Sequence, residues 1–259
     1  MSKLEALFSI AGRTALVTGG SVGIGAMIAR AYVQAGARVY IASRKRDDLE
    51  AVATELSAEG ECIALQADLS TEEGTRKLAA DLIEREDSLD ILVNNAGATW
   101  GAQIDDYPGK AWDRVVGLNV KATFLLTQSL LPALRAAGTP DRPARVLNIS
   151  SIESIWVPAH ENYAYPASKA ALNQLTRTLA KRLAQDHITV NALLPGPFRS
   201  RMMKELLDAN EEGIAALSPL GRIGGDDDIG AAAIYLASPG ANWLTGVLLP
   251  IDGGISGTS

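Results

Sequence analysis

Thr18-Gly19-Gly20-Ser21-Val22-Gly23-Ile24-Gly25 decides how this chain folds. A short apolar run, Arg13 to Thr18, leads into it. Beyond it Ile24, Met27, Ile28, Ala31 and Tyr32 fall at i, i+3, i+4, i+7 and i+8, the period of a helix with one buried face. A strand that breaks at clustered glycines and restarts as a helix leaves the first helical N–H groups without partners in the chain. Those groups and the positive end of the helix dipole suit a pyrophosphate, and glycine admits it where a side chain would obstruct. Set between a strand and a helix, the turn points to a bound dinucleotide rather than to a bare loop.

Downstream the alternation repeats. The first helix ends near Gly36, and a strand over Arg38 to Ala42 is followed by a charged helix from about Arg46 to Glu59. Strand Ile63 to Ala67, a helix around Thr71 to Glu86 and strand Leu89 to Val93 come next. Two further helical stretches precede strand Arg145 to Ile149, a long helix from near Tyr165 and strand Ile188 to Leu194. A helix over about Asp228 to Ala237 and a strand from Gly246 to Pro250 close the series. Apolar strands alternating with helices predict an α/β fold, a Rossmann-like doubly wound parallel sheet of about seven strands with helices on both faces. Residues 1–259 are expected to form a single dinucleotide-binding and catalytic domain. The polar, Gly- and Pro-punctuated stretch 197–225 has no strand of its own and reads as a substrate lid.

Composition narrows the class. The 259 residues are 47% hydrophobic and 21% charged, as in an ordinary globular protein. A net charge of −6 speaks against a nucleic-acid partner, which calls for a basic face. One cysteine, Cys62, excludes an internal disulfide or a thiolate metal site, and two histidines, His160 and His187, leave little for any metal. No apolar run approaches the ~20 residues of a membrane span, and Met1-Ser2-Lys3-Leu4-Glu5 lacks a signal peptide's apolar core. The expectation is a cytoplasmic protein with no membrane partner.

The glycine spacing T-G-x-x-x-G-x-G is joined by Asn94-Asn95-Ala96-Gly97 after the fourth strand, Tyr165-Pro166-Ala167-Ser168-Lys169 opening the long helix, and Pro195-Gly196 after the sixth strand. In this order and at these intervals, over nearly the whole chain, the sequence resembles the short-chain dehydrogenase/reductase family. Within it, Ala96 to Gly101 and the ending Pro250-Ile251-Asp252-Gly253-Gly254 are most similar to NADPH-dependent 3-oxoacyl reductases of the rhamnolipid-synthesis type. The resemblance implies NADP(H), a small carbonyl or alcohol substrate and a homotetramer. It implies cofactor contacts at Gly19, Ser21, Gly23, Ile24, Gly25, Ser43, Arg44, Asp68, Leu69, Asn95, Ala96, Gly97, Tyr165, Lys169, Pro195 and Gly196. It implies catalytic roles for four residues: Tyr165 as proton donor to the carbonyl oxygen, Lys169 bonding the nicotinamide ribose, Ser151 orienting the substrate, and Asn119 bending its helix and holding a water. A sugar, polyol or steroid dehydrogenase, or a non-catalytic nucleotide sensor, are the other functions such a chain could serve.

Residue chemistry fits these roles. Tyr165 and Lys169, four apart, share one helix face, and an ammonium nearby is expected to lower a tyrosine pKa from about 10. Ser150 and Ser151 point opposite ways by strand alternation, and Ser151 is the one expected at the site, its hydroxyl bonding the oxygen as charge develops. Tyr163 has no lysine four residues later. Glu153 stands where many relatives carry a small residue and either meets a polar group of the substrate or faces solvent. Trp100 and Trp156 are pocket candidates or plain packing, and His160 reads as a loop residue. Ser43 is small and neutral where an NAD enzyme places Asp or Glu, and Arg44 can pair with a 2′-phosphate, with Lys45 and Arg46 adding positive field. Val22, where many NADPH-dependent relatives carry a basic residue, leaves the preference for NADP(H) to Ser43 and Arg44.

Overall fold

The structure, a computed structural model, describes residues 2–258; Met1 of the pentapeptide above and Ser259 lie outside it. Seven strands form one parallel sheet in the order β3-β2-β1-β4-β5-β6-β7. They are β1 (Thr14–Thr18), β2 (Arg38–Ser43), β3 (Cys62–Gln66), β4 (Ile91–Asn94), β5 (Ala144–Ile149), β6 (Ile188–Pro195) and β7 (Leu248–Ile251). The helices are α1 (Lys3–Phe8), α2 (Gly23–Gln34), α3 (Arg46–Leu56), α4 (Glu72–Ile83), α5 (Gly109–Val116), α6 (Thr123–Ala137), α7 (Ala164–Leu183), α8 (Lys204–Ala215) and α9 (Asp226–Ala237). Among the described residues no helix is long and apolar enough to cross a membrane.

Strand alternation builds two cores. Ala15, Val17, Val39, Ile41, Ile91 and Val93 turn to one face, where Ile28, Tyr32, Leu49, Leu56, Ile229 and Ala233 of α2, α3 and α9 cover them. Leu16, Tyr40, Leu92 and Val146 turn to the other, against Leu78, Leu82, Leu126, Leu130 and Leu183 of α4, α6 and α7. Both faces are buried, so the strands read as apolar runs.

Three expected boundaries shift for local reasons. The fourth strand enters the ladder at Ile91 rather than Leu89, whose N–H donates instead to the Ala133 carbonyl of α6 at 3.0 Å. The last strand starts at Leu248 rather than Gly246, which is left-handed (φ 76°) and closes the preceding turn. α9 begins at Asp226, two residues early, since Asp228 in its first turn accepts from the Gly225 N–H at 2.8 Å. Segment 197–225 carries the helix α8, kinked at Asn210, and no strand. Its ends are pinned where Phe198, 1% exposed, bridges Gly224.

The chain order reverses between β1 and β4: α2 and α3 lead from β1 to β2 and β3, while β4 begins the other half. Ligands in open α/β sheets bind at such a switch point, outside the carboxyl ends of the strands. The glycine turn leaves β1 there, Asn95-Ala96-Gly97 leaves β4, Ser150-Ser151 leaves β5 and Gly196 leaves β6.

Candidate active site

The glycine turn is closed down on its neighbour. Gly19 is left-handed (φ 65°), and a Cβ there would stand 2.7 Å from Asn95 Nδ2 and 3.2 Å from Ala96 Cα. At Gly25 a Cβ would meet the Gly19 carbonyl at 2.3 Å. Asn95 fastens the two loops, its Nδ2 donating to the Thr18 and Gly19 carbonyls at 2.9 and 3.3 Å. The amides of Asn95 and Ala96 donate to Thr18 Oγ1 at 3.0 and 3.1 Å. No side chain caps the start of α2, so its first N–H groups remain available to an anion. Ile24 packs its side chain against the core behind them.

At the end of β2, Ser21 Oγ donates to Ser43 Oγ at 3.0 Å, joining the turn to the next strand. Arg46 is spent on Gln66 Oε1, at 3.0 and 3.1 Å, and Lys45 lies 4.0 Å from Asp48. Arg44 is exposed and near enough to Asp68 to help hold that carboxyl below its ordinary value. Burial, the largest single influence, pushes Asp68 the other way, and the Ser70 amide and hydroxyl together with Arg44 outweigh it. Leu69 buries its side chain in the second core, leaving its backbone to face a ligand. A dinucleotide with a phosphorylated adenosine therefore fits the residues present: a cradle that a Cβ would fill, free amides, a neutral Ser43 and an exposed guanidinium.

Asn119 lies in a π-helical turn, Gly117–Ala122, between α5 and α6. Its Oδ1 accepts from the Ala98 N–H at 2.8 Å, and its Nδ2 donates to the Ala98 carbonyl at 3.0 Å and to Ser168 Oγ at 2.9 Å. It thereby ties the loop beyond Gly97 to α7, and the widened turn is the expected bend. A Cβ on Gly97 would stand 3.1 Å from Asn119 Oδ1. Pro195 ends β6 opposite Ile251, and the Gly196 N–H donates to the Ile251 carbonyl at 2.9 Å.

The two serines diverge as alternation requires. Ser150 Oγ donates to the Lys169 carbonyl at 3.2 Å, while Ser151 Oγ accepts from the Glu153 N–H at 3.2 Å and lies close enough to Tyr165 to favour its ionised form. Lys169, 4% exposed, donates through Nζ to the Ile149 carbonyl at 2.6 Å and sits 5.5 Å from the centre of the Tyr165 ring. The ammonium thus faces the ring and not the hydroxyl, and the expected lowering of the tyrosine pKa is absent. Burial holds Tyr165 well above the usual tyrosine range, Glu153 adds to this, and Ser151 partly offsets it. Burial likewise brings Lys169 down to about 8, against a raising pull from Glu153.

Glu153 is not turned to solvent: its side chain is 16% exposed, and burial lifts it to about 7 against the pull of Lys169. His160 Nε2 lies 3.6 Å from it. Neither contact is legible in the sequence, where a loop glutamate and a loop histidine carry no periodic signal. Tyr163 stacks edge-on against Tyr107 at 5.5 Å. Trp156 packs with Ile152 and Ile255, whereas Trp100 is 38% exposed.

Residues 19–256 match the family model described as enoyl-(acyl carrier protein) reductase. The chain is 49% identical, over 95% of its length and 97% of the relative's, to the rhamnolipids biosynthesis 3-oxoacyl-[acyl-carrier-protein] reductase of Pseudomonas aeruginosa. It is 36% identical, over 98% of both chains, to the 2-dehydro-3-deoxy-D-gluconate 5-dehydrogenase of Bacillus subtilis. Its structure is similar to the Pseudomonas aeruginosa RhlG/NADP active-site complex, with a TM-score of 0.94, 48% identity, and coverage of 97% of this chain and 99% of that one.

Proposed function

This chain belongs to the short-chain dehydrogenase/reductase family, and we propose on that premise that it is an NADP(H)-dependent carbonyl reductase whose favoured substrates are 3-oxoacyl compounds. The observation that carries the reading is the convergence of Ser151, Tyr165 and Lys169 beside the glycine turn, at the carboxyl ends of β5 and β1. Gly19, Ser21, Gly23, Ile24, Gly25 and Asn95 to Gly97 hold the pyrophosphate half of the cofactor, Ser43, Arg44, Asp68 and Leu69 the adenosine half, and Pro195 and Gly196 the nicotinamide half. Bound there, the reduced nicotinamide supplies a hydride to the carbonyl carbon. Tyr165 gives its hydroxyl proton to the oxygen, and Ser151 hydrogen-bonds that oxygen as negative charge gathers on it. Lys169 keeps its Nζ over the Tyr165 ring and, in the role the resemblance implies, bonds the nicotinamide ribose. Asn119 bends its helix, ties Ala98 to Ser168 on α7, and stands where the resemblance puts a water linking Lys169 to solvent.

Segment 197–225 is the lid over the substrate: Ser200 touches the glycine turn at Gly23, and Arg201 bridges to Asp48 on α3 at 3.0 Å. Together the residues act as one domain. Exposed Trp112 and Phe124, on the helices flanking the Asn119 turn, support a homotetramer with that face as one interface. The buried free thiol of Cys62 supports a cytoplasmic setting.

The test is loss of reduced-nicotinamide absorbance with 3-oxoacyl esters, diketones, sugars and steroids, under NADPH and under NADH. Fastest loss with NADPH and 3-oxoacyl esters is expected. Faster turnover of sugars would favour the second reading, a sugar dehydrogenase, which the gluconate-type relative supports. Cofactor binding without turnover of any carbonyl would overturn both.

A further inference from the structure

We propose that Glu153 is a specificity residue whose carboxyl donates a hydrogen bond to a second carbonyl of the substrate, two carbons from the ketone being reduced. The inference rests on the carbonyl-reductase reading and adds to it the group that recognises a 3-oxo compound as such.

The placement comes from a tight turn. Ile152–Ser154 forms a single 3₁₀ turn directly after Ser151, and the Glu153 N–H itself donates to Ser151 Oγ at 3.2 Å. Ser154 Oγ donates to the Ser151 carbonyl at 2.5 Å and accepts from Asn173 Nδ2 at 2.7 Å, which clamps the turn onto α7. Asn162, itself buried, donates through Nδ2 to Glu153 Oε2 at 3.3 Å. The carboxyl is thus anchored through Oε2, two residues beyond Ser151, and near enough to Tyr165 and Lys169 to act on both.

Burial favours the neutral acid, and the one cation that opposes it is committed elsewhere. Lys169, the cation that acts on Glu153, has its Nζ committed to the Ile149 carbonyl. His160 Nε2, at 3.6 Å from Oε1, is beyond hydrogen-bonding distance, and burial holds the imidazole below its ordinary value, so it is neutral at pH 7. Tyr165 is a neutral phenol. Burial lifts the carboxyl to about 7, so it carries its proton below that pH, and a protonated carboxyl is a donor. With Oε2 accepting from Asn162, the proton belongs on Oε1, whose polar neighbour, His160 Nε2, stands at 3.6 Å. A 3-oxo thioester or ester brings an acceptor, because its second carbonyl oxygen lies a few ångströms from the oxygen that Ser151 and Tyr165 engage. The neutral form also spares Tyr165, whose acidity falls when Glu153 ionises.

The experiment measures kcat/KM with NADPH for ethyl acetoacetate and for 2-pentanone, which lacks the second carbonyl. It is run from pH 5.5 to 8.5 in the wild type, Glu153→Gln and Glu153→Ala, with melting curves for each. One hydrogen bond of this kind sets the ratio between the two substrates at about tenfold. The wild-type ratio should fall as pH rises through about 7, where Glu153 ionises. Glu153→Gln, a donor that does not titrate, should hold the preference at every pH, and Glu153→Ala should lose it. A wild-type ratio that ignores pH, or an alanine variant that keeps the ratio, overturns the assignment while leaving the reductase reading intact. No NADPH consumption with either ketone overturns the reading beneath it.

Discussion

The glycine turn and segment 197–225 touch at Gly23 and Ser200, yet they are built in opposite ways. On the turn side, loops lie so close that a single methyl group at Gly19 or Gly25 has no room, and Asn95 and Thr18 stitch them with four hydrogen bonds. On the segment side, α8 buries Leu207 alone, and its charged contacts, Arg199 with Glu211 and Arg201 with Asp48, lie between exposed side chains. Exposed ion pairs contribute little to stability. The difference teaches where invariance is needed: a dinucleotide presents the same shape at every turnover, whereas substrates differ and must enter and leave.

The largest expected effect lies between the two regions. Tyr165→Phe removes one hydroxyl and should lower kcat about 10²–10⁴-fold, with NADPH binding by fluorescence titration and the melting temperature unchanged. A variant keeping a tenth of wild-type turnover would remove Tyr165 from the proton-donor role.

On the rigid side, Gly25→Ala forces a Cβ against the Gly19 carbonyl and should destabilise the fold by about 1–3 kcal/mol while weakening NADPH binding. On the other side, Arg199→Ala should change stability by less than about 0.5 kcal/mol. Chemical denaturation of the two variants checks the contrast, and equal losses would break it.

A subtler probe is Arg44→Ala. Losing one charge-assisted partner of the 2′-phosphate should raise KM for NADPH about tenfold, with NADH little affected. Equal changes with both cofactors would place Arg44 outside the phosphate site.

The smallest effect concerns the root of the segment, where Arg222 pairs with Asp228 at 2.6 Å. This pairing and the Gly225 N–H depress Asp228 to about 2. A folded-state pKa below the unfolded value stabilises above the latter, and the benefit disappears as pH falls from about 4 to 2. The melting-temperature gap between wild type and Asp228→Asn should therefore close over that range, and a constant gap would sever the link.

Periodicity carried much of this architecture. Two-residue alternation in β1, β2 and β4 sorts Leu16, Tyr40 and Leu92 from their neighbours, and helical spacing sets Tyr165 and Lys169 on one face. Alternation sends Ser150 and Ser151 opposite ways, and the family resemblance picks out Ser151. What it does not carry is the direction of a long side chain once the chain is packed: that the Lys169 ammonium turns to the Ile149 carbonyl depends on β5 lying beneath α7. Glu153 was open between substrate and solvent because its burial depends on Asn162, nine residues away across an irregular loop. The start of β4 depends on the Leu89 amide finding the Ala133 carbonyl of α6, far along the chain.

The clasp between Phe198 and Gly224 has an evolutionary consequence. A loop whose two ends are fastened to each other exchanges almost no information with the sheet about its own length. Doubling such a loop costs only about 0.6 kcal/mol in closure entropy. Length changes between them are thus cheap where they spare Ser200 and Arg201, which meet Gly23 and Asp48, and Ser218, which donates to the Gly253 carbonyl. One scaffold can explore many substrates through the rest of this stretch.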